Sequence, residues 1–118
     1  MHQIIQQLND LGCDTKSAIN RLLGNEATYL TFLEKYKKTF RVAELGELLN
    51  QKQYQDAFDC VHNIKGAAGN LGLTPLYSAS SVLTEKLRAK DYTDLESVYQ
   101  QLSDAYRDFL AAVEQPES

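Results

Sequence analysis

The chain has no tryptophan, two prolines, two cysteines, two histidines and six glycines in 118 residues. So few prolines and glycines exclude a turn-dense all-β fold. Two cysteines cannot make a disulfide scaffold. Cys60 falls on an apolar helical stripe, where a free thiol behaves as a small hydrophobe, so two reduced thiols are expected. His2, His62 and two distant cysteines have no metal-ligand spacing, and neither a metal nor another cofactor is expected. No apolar run approaches the roughly 20 residues of a membrane span. The opening "MHQIIQQLND" has no basic region followed by an apolar stretch, so it does not read as a secretory signal. A cytoplasmic location without membrane insertion is therefore expected. The net charge of −4 argues against nucleic acid as a partner, because phosphate contacts need a basic face.

What the sequence does contain is helical punctuation. Asp14 is placed to cap "TKSAINRLL", with Gly24 just past its end. Asn25 is placed to cap "EATYLTFLEKYKKTF", in which Tyr29, Leu33, Tyr36 and Phe40 recur at three- and four-residue steps. The pattern runs on through Val42, Leu45, Leu48 and Leu49, which predicts one long helix with Gly46 as a weak point. A further helix is predicted from about Gln53 to Leu71. Gly72 ends it, and Thr74 is expected to cap the next helix with Pro75 at its first position. The last helix should open on a capping box, Thr93-x-x-Glu96, with an apolar stripe of Leu95, Val98, Leu102, Ala105, Phe109 and Val113. The polar "QPES" tail is expected to fray. The expected architecture is all-α: a single domain over residues 1–118, with one or two short helices in 1–24. An antiparallel up-and-down four-helix bundle should follow in 25–115, and a polar tail in 116–118.

Within "FDCVHNIKGAAGNLG", residues 58–72, helical geometry sorts the side chains. Ala57, Cys60, Val61, Ile64, Ala67, Ala68 and Leu71 fall on one side, the expected core stripe. Gln55, Phe58, Lys65, Gly66 and Gly69 gather around His62 on the other, with Asp59 at the edge. Each interior glycine costs a helix about 1 kcal/mol relative to alanine. On an outward face glycine frees space beside the imidazole, which suits close approach by a ligand or partner. Phe58 adds an aromatic ring to that face. A neutral imidazole offers a ring nitrogen as a nucleophile, and Lys65, three residues on, can stabilise an anionic group arriving there.

These residues resemble the histidine phosphotransfer (HPt) domain family. "VHNIKGAAGNLGL" matches its pattern of a histidine, an apolar residue two on, Lys-Gly, small residues, and a glycine ten after the histidine. Here these are His62, Ile64, Lys65, Gly66, Ala67, Ala68 and Gly72. Val61 departs from the alanine that many members carry. The upstream "INRLLGNEATYLTFLEKYKKTF" and the helix after Pro75 also sit where the family places them.

The resemblance implies a four-helix bundle that carries a phosphoryl group but has no kinase activity of its own. A receiver domain's phospho-aspartate would donate to His62, through Nε2, and a second receiver would take the group onward. The receiver would supply Mg²⁺ and most of the catalytic apparatus. Lys65 would favour the phosphoryl charge and Gly66 would leave room for the receiver. The expected partners are response-regulator receiver domains and a hybrid sensor histidine kinase, and the expected state is a monomer. Phe58, Asp59 and Gly69 are expected in the docking face. If the helices flanking Gly72 are antiparallel, the residues facing His62 lie around Leu83 to Glu85. Thr84 would then be placed to hydrogen-bond the imidazole or phosphate, with Arg88 one turn on, unless both are surface polar residues with no role. The basic run Lys35, Lys37, Lys38 and Arg41 reads as a solvated face, or as a complement to an acidic receiver.

Two other readings stay open. One is the phosphoacceptor domain of a histidine kinase, including a module of a membrane-anchored kinase on its cytoplasmic side. The other is a non-catalytic helical adaptor that grips a partner through the His62 and Phe58 face.

Overall fold

Seven helices and no strand make up the described residues, 2–114, of the computed structural model. They are α1 (Gln3–Asp10), α2 (Thr15–Asn20), α3 (Glu26–Tyr36), α4 (Val42–Asn50), α5 (Tyr54–Asn70), α6 (Thr74–Arg88) and α7 (Leu95–Val113). The "QPES" tail lies outside the described residues. None of the helices described is long and apolar enough to cross a membrane.

Helices α4, α5, α6 and α7 close a ring, each packed on the next and α7 back on α4. Their apolar stripes meet in one core that includes Leu45, Val61, Ile64, Leu83, Leu102 and Phe109. The relative directions of α5 and α6 follow from who meets whom. Tyr54 stacks on Tyr92, Phe58 lies under Arg88, and Gly69 abuts Tyr77. Numbers rise along one helix as they fall along the other, so α5 and α6 are antiparallel.

The expected long helix is two helices. It breaks at residues 37–41, not at Gly46. Phe40 turns into the core, packed edge-on against Tyr106 and Phe109 with ring centroids 5.9 and 5.7 Å away. The Tyr106 hydroxyl donates to Lys37 O at 3.1 Å, at the end of α3. Arg41 O, which accepts the first α4 bond from the Leu45 N–H at 3.0 Å, also has the Cys60 thiol 3.6 Å away. Gly46 sits inside α4 for a packing reason. A Cβ there would lie 2.6 Å from the Tyr99 hydroxyl, which is itself bonded to Val42 O at 2.9 Å.

Other boundaries shift more modestly. Asp14 and Asn25 do cap α2 and α3, accepting from the Ser17 and Thr28 N–H groups, but α2 ends at Asn20 and tight turns fill 21–24. Helix α6 begins at Thr74, with Leu73 in the capping position, so Thr74 is not the cap and Pro75 is the second helical residue. Leu73 is drawn there because its side chain is buried in the core. The Thr93-x-x-Glu96 box does not form. The Thr93 hydroxyl and N–H both bond Asp91, at 2.6 and 3.1 Å, and the cap is Asp94 at φ +56°.

Helices α2 and α3 and their flanking residues act on the end of α5, while α1 packs on α7. The last carbonyls of a helix lack intrahelical partners. Here the Arg21 guanidinium donates to Gly69 O and Asn70 O at 3.0 and 2.9 Å. The buried Tyr29 hydroxyl donates to Leu71 O at 2.7 Å, and the Asp14 N–H to Gly72 O at 2.8 Å. Gly72, at φ +69°, supplies the left-handed residue of a Schellman turn whose Leu73 N–H returns to Ala68 O at 2.9 Å. A Cβ on Gly72 would also collide with Asp14 O.

Candidate functional site

Burying Ala57, Val61, Ile64 and Ala68 on α5 turns the opposite side of the helix outward. His62 is exposed in the middle of that side. Its ring stacks on half-buried Phe58, one turn earlier, with centroids 5.9 Å apart and planes 15° apart. Stacking covers a face of the imidazole, whereas its nitrogen lone pair lies in the ring plane. The ring is thus oriented while its nucleophilic edge stays free. On Phe58 rests the Arg88 guanidinium, 5.6 Å from the ring centroid, and Arg88 is steadied by Glu85 at 2.6 Å. An aromatic and cationic strip therefore runs from His62 towards the Tyr54–Tyr92 stack, whose centroids lie 3.8 Å apart.

Towards the other end of α5 the surface is bare. Gly66, one turn after His62, is exposed, and a Cβ there would meet nothing within 4 Å. No contact among the described residues demands glycine at this position. Gly69 differs: a Cβ there would lie 3.2 Å from two Tyr77 ring atoms. Gly69 therefore makes room for Tyr77 as well as lying on the outward face. Lys65 is half-buried, and its ammonium lies 5.9 Å from the Tyr77 ring centroid. Asp59 is exposed, accepts from Gln55 at 3.3 Å, and lines the groove between α4 and α5 with Arg41 and Glu44.

Thr84 does not belong to this face. Antiparallel register does put it opposite His62, but α6 is rotated so that Thr84 is fully buried and its hydroxyl donates to Ser80 O at 2.7 Å. The exposed residue at that level is Glu85. Sequence reasoning found the level on α6 and missed its rotation. It also missed Tyr77, whose pairing with Lys65 depends on which residue stands across from Gly69. Of the basic run, Lys37 pairs with Glu34 at 2.8 Å and Arg41 with Glu44 at 3.6 Å. Both bridges are local; Arg41 is solvated as expected, whereas the Lys37 side chain is only 15% exposed.

Neither cysteine is paired. Burial pushes the Cys13 thiol up to about 11 and raises Cys60 as well. Both stay protonated near neutral pH, the form in which a thiol is a poor nucleophile. Among the described residues no three histidine, cysteine or carboxylate side chains gather as a metal site would require.

The Hpt domain model matches residues 30–115. The chain belongs to the Hpt domain family. Hpt domains are helical bundles that carry phosphoryl groups on histidine in phosphorelays and are generally not enzymes. The matched span takes in α4 to α7 and all but the first residues of α3, so it includes the His62 face. No curated protein and no solved structure matches this Hpt domain.

Proposed function

We propose that this Hpt domain is the phosphotransfer module of a multistep two-component phosphorelay, accepting a phosphoryl group from a receiver's phospho-aspartate on His62 and passing it to another receiver. The observation that carries this reading is Gly66. It costs helix stability, satisfies no contact among the described residues, and lies one turn from an exposed imidazole.

In the forward step the Nε2 lone pair of His62 attacks phosphorus in line, and the bond from phosphorus to the receiver's aspartyl oxygen breaks. The carboxylate leaves as the anion and the ring's other nitrogen keeps its proton. Stacking on Phe58 holds the imidazole plane for that approach. Lys65 stabilises charge on the phosphoryl oxygens, Arg88, held by Glu85, belongs to the docking face, and Gly66 lets the receiver's active-site loops close over the ring. Phe58, Asp59 and Gly69 belong to the docking face or its edge. Mg²⁺ belongs to the receiver. The module works as a monomer in the cytoplasm, and a hybrid sensor histidine kinase is a natural source of the first receiver.

The test is transfer from a radiolabelled phospho-receiver. Wild type should become labelled, with the label lost in acid, and His62→Gln should accept none. A receiver that binds the domain yet keeps its aspartyl phosphate would overturn the proposal. Labelling only by an ATP-fed kinase domain would instead make the chain a kinase's phosphoacceptor module. Function retained in His62→Gln and lost in Phe58→Asp would mark an adaptor.

A further inference from the structure

Lys65 stands three residues after His62, close enough to serve a phosphoryl group there. In this structure its ammonium is directed elsewhere. It lies over the Tyr77 ring, 5.9 Å from the centroid, and makes no ion pair among the described residues. Tyr77 stands opposite Gly69, seven residues past His62, or about 10 Å further along the helix axis. The lysine therefore reaches towards the C-terminal end of α5, away from the imidazole. Gly69 makes the arrangement possible, since any side chain there would press on the Tyr77 ring.

Resting on the phosphotransfer reading, we infer that Tyr77 is the resting place of the Lys65 ammonium and competes for it with the phosphoryl group on His62. An aromatic face holds a cation weakly. A phosphoryl dianion holds it through charge-assisted hydrogen bonds. Phosphorylation therefore draws Lys65 off Tyr77 and back along α5, and dephosphorylation returns it. The coupling is reciprocal: whatever strengthens the tyrosine contact disfavours the phosphorylated state by the same factor. Tyr77 is a positioning residue in this scheme, because it acts only through Lys65.

The scheme is tested without any receiver, using phosphoramidate as donor. A ring nitrogen of His62 forms the bond to phosphorus as the donor's P–N bond breaks and ammonia leaves. Carbon-detected NMR of the full chain should show the Lys65 side-chain methylenes shifted upfield by the Tyr77 ring at rest. That displacement should collapse once His62 is phosphorylated. Tyr77→Leu should abolish the resting displacement and speed phosphorylation about two- to fivefold, the range a surface cation–π contact supports. Tyr77→Phe, which keeps the ring, should behave as wild type. In a Lys65→Met background the Tyr77→Leu acceleration should vanish.

No upfield displacement at rest, no change on phosphorylation, or an undiminished acceleration in the Lys65→Met background would each overturn the inference. Failure of every receiver to label His62 would instead sink the relay reading, while the lysine exchange stayed measurable with phosphoramidate.

Discussion

Three small residues on α5 and α6 show how different the reasons for smallness are. Gly66 faces open space, Gly69 faces Tyr77, and Ser80 is buried with a hydroxyl that finds no partner among the described residues. The consequences for substitution diverge. Gly66→Ala should raise stability by about 0.5–1 kcal/mol, since alanine is the better helix former and its Cβ touches nothing. The same change should slow transfer from a phospho-receiver by roughly tenfold or more, because docking tolerates little displacement. Ser80→Ala is the control: removing an unpaired buried hydroxyl should be neutral or stabilising by up to about 1 kcal/mol, with transfer unchanged. Urea denaturation and receiver labelling measured on both variants check the contrast. Residue periodicity alone put His62, Phe58, Lys65 and Gly66 on one outward face, because a helix has a fixed turn. It did not reveal that Gly69 is answered by Tyr77, which belongs to another helix.

Among the elements, the end of α5 is the most heavily supported. Three donors from the N-terminal helices and their connections reach four successive carbonyls, 69 to 72. The helix that carries His62 is thereby anchored at one end by Arg21 and Tyr29. Tyr29→Phe removes the donor but not the buried ring, leaving the Leu71 carbonyl unpaired in the core. It should cost about 1–3 kcal/mol in urea denaturation, with His62 labelling preserved in the folded fraction. Labelling lost while stability held would show that Tyr29 acts on the site directly. Caps written in short local patterns, Asp14 and Asn25, were legible in the sequence. The break at 37–41 was not, because nothing local stops the helix there. Phe40 leaves it to pack on Tyr106 and Phe109, whose positions the local pattern does not contain. Thr93 misled for a related reason: Asp91, two residues earlier, takes both of its polar groups.

For the whole molecule, the cysteines report on the fold. Burial lifts Cys13 from its ordinary 9.0 to about 11. A group whose folded value is raised contributes stability that is complete below the unfolded value and is lost as pH rises through the folded one. Stability should therefore decline between about pH 9 and 11. At pH 8, iodoacetamide should alkylate Cys13 slowly in the native protein, with a rate that climbs as urea populates the open chain. Rapid alkylation in the absence of denaturant would contradict the burial. The sequence by itself determined the helical class, the outward His62–Lys65–Gly66 face and the turn at Gly72. All three follow from backbone periodicity and from φ/ψ preferences that act within a few residues. Only the tertiary structure decided that Thr84 points inward, that Arg88 lies on Phe58 and that Lys65 leans on Tyr77. Those outcomes depend on how α6 is rotated about its own axis against α5, and that rotation is set by the shape of the shared core.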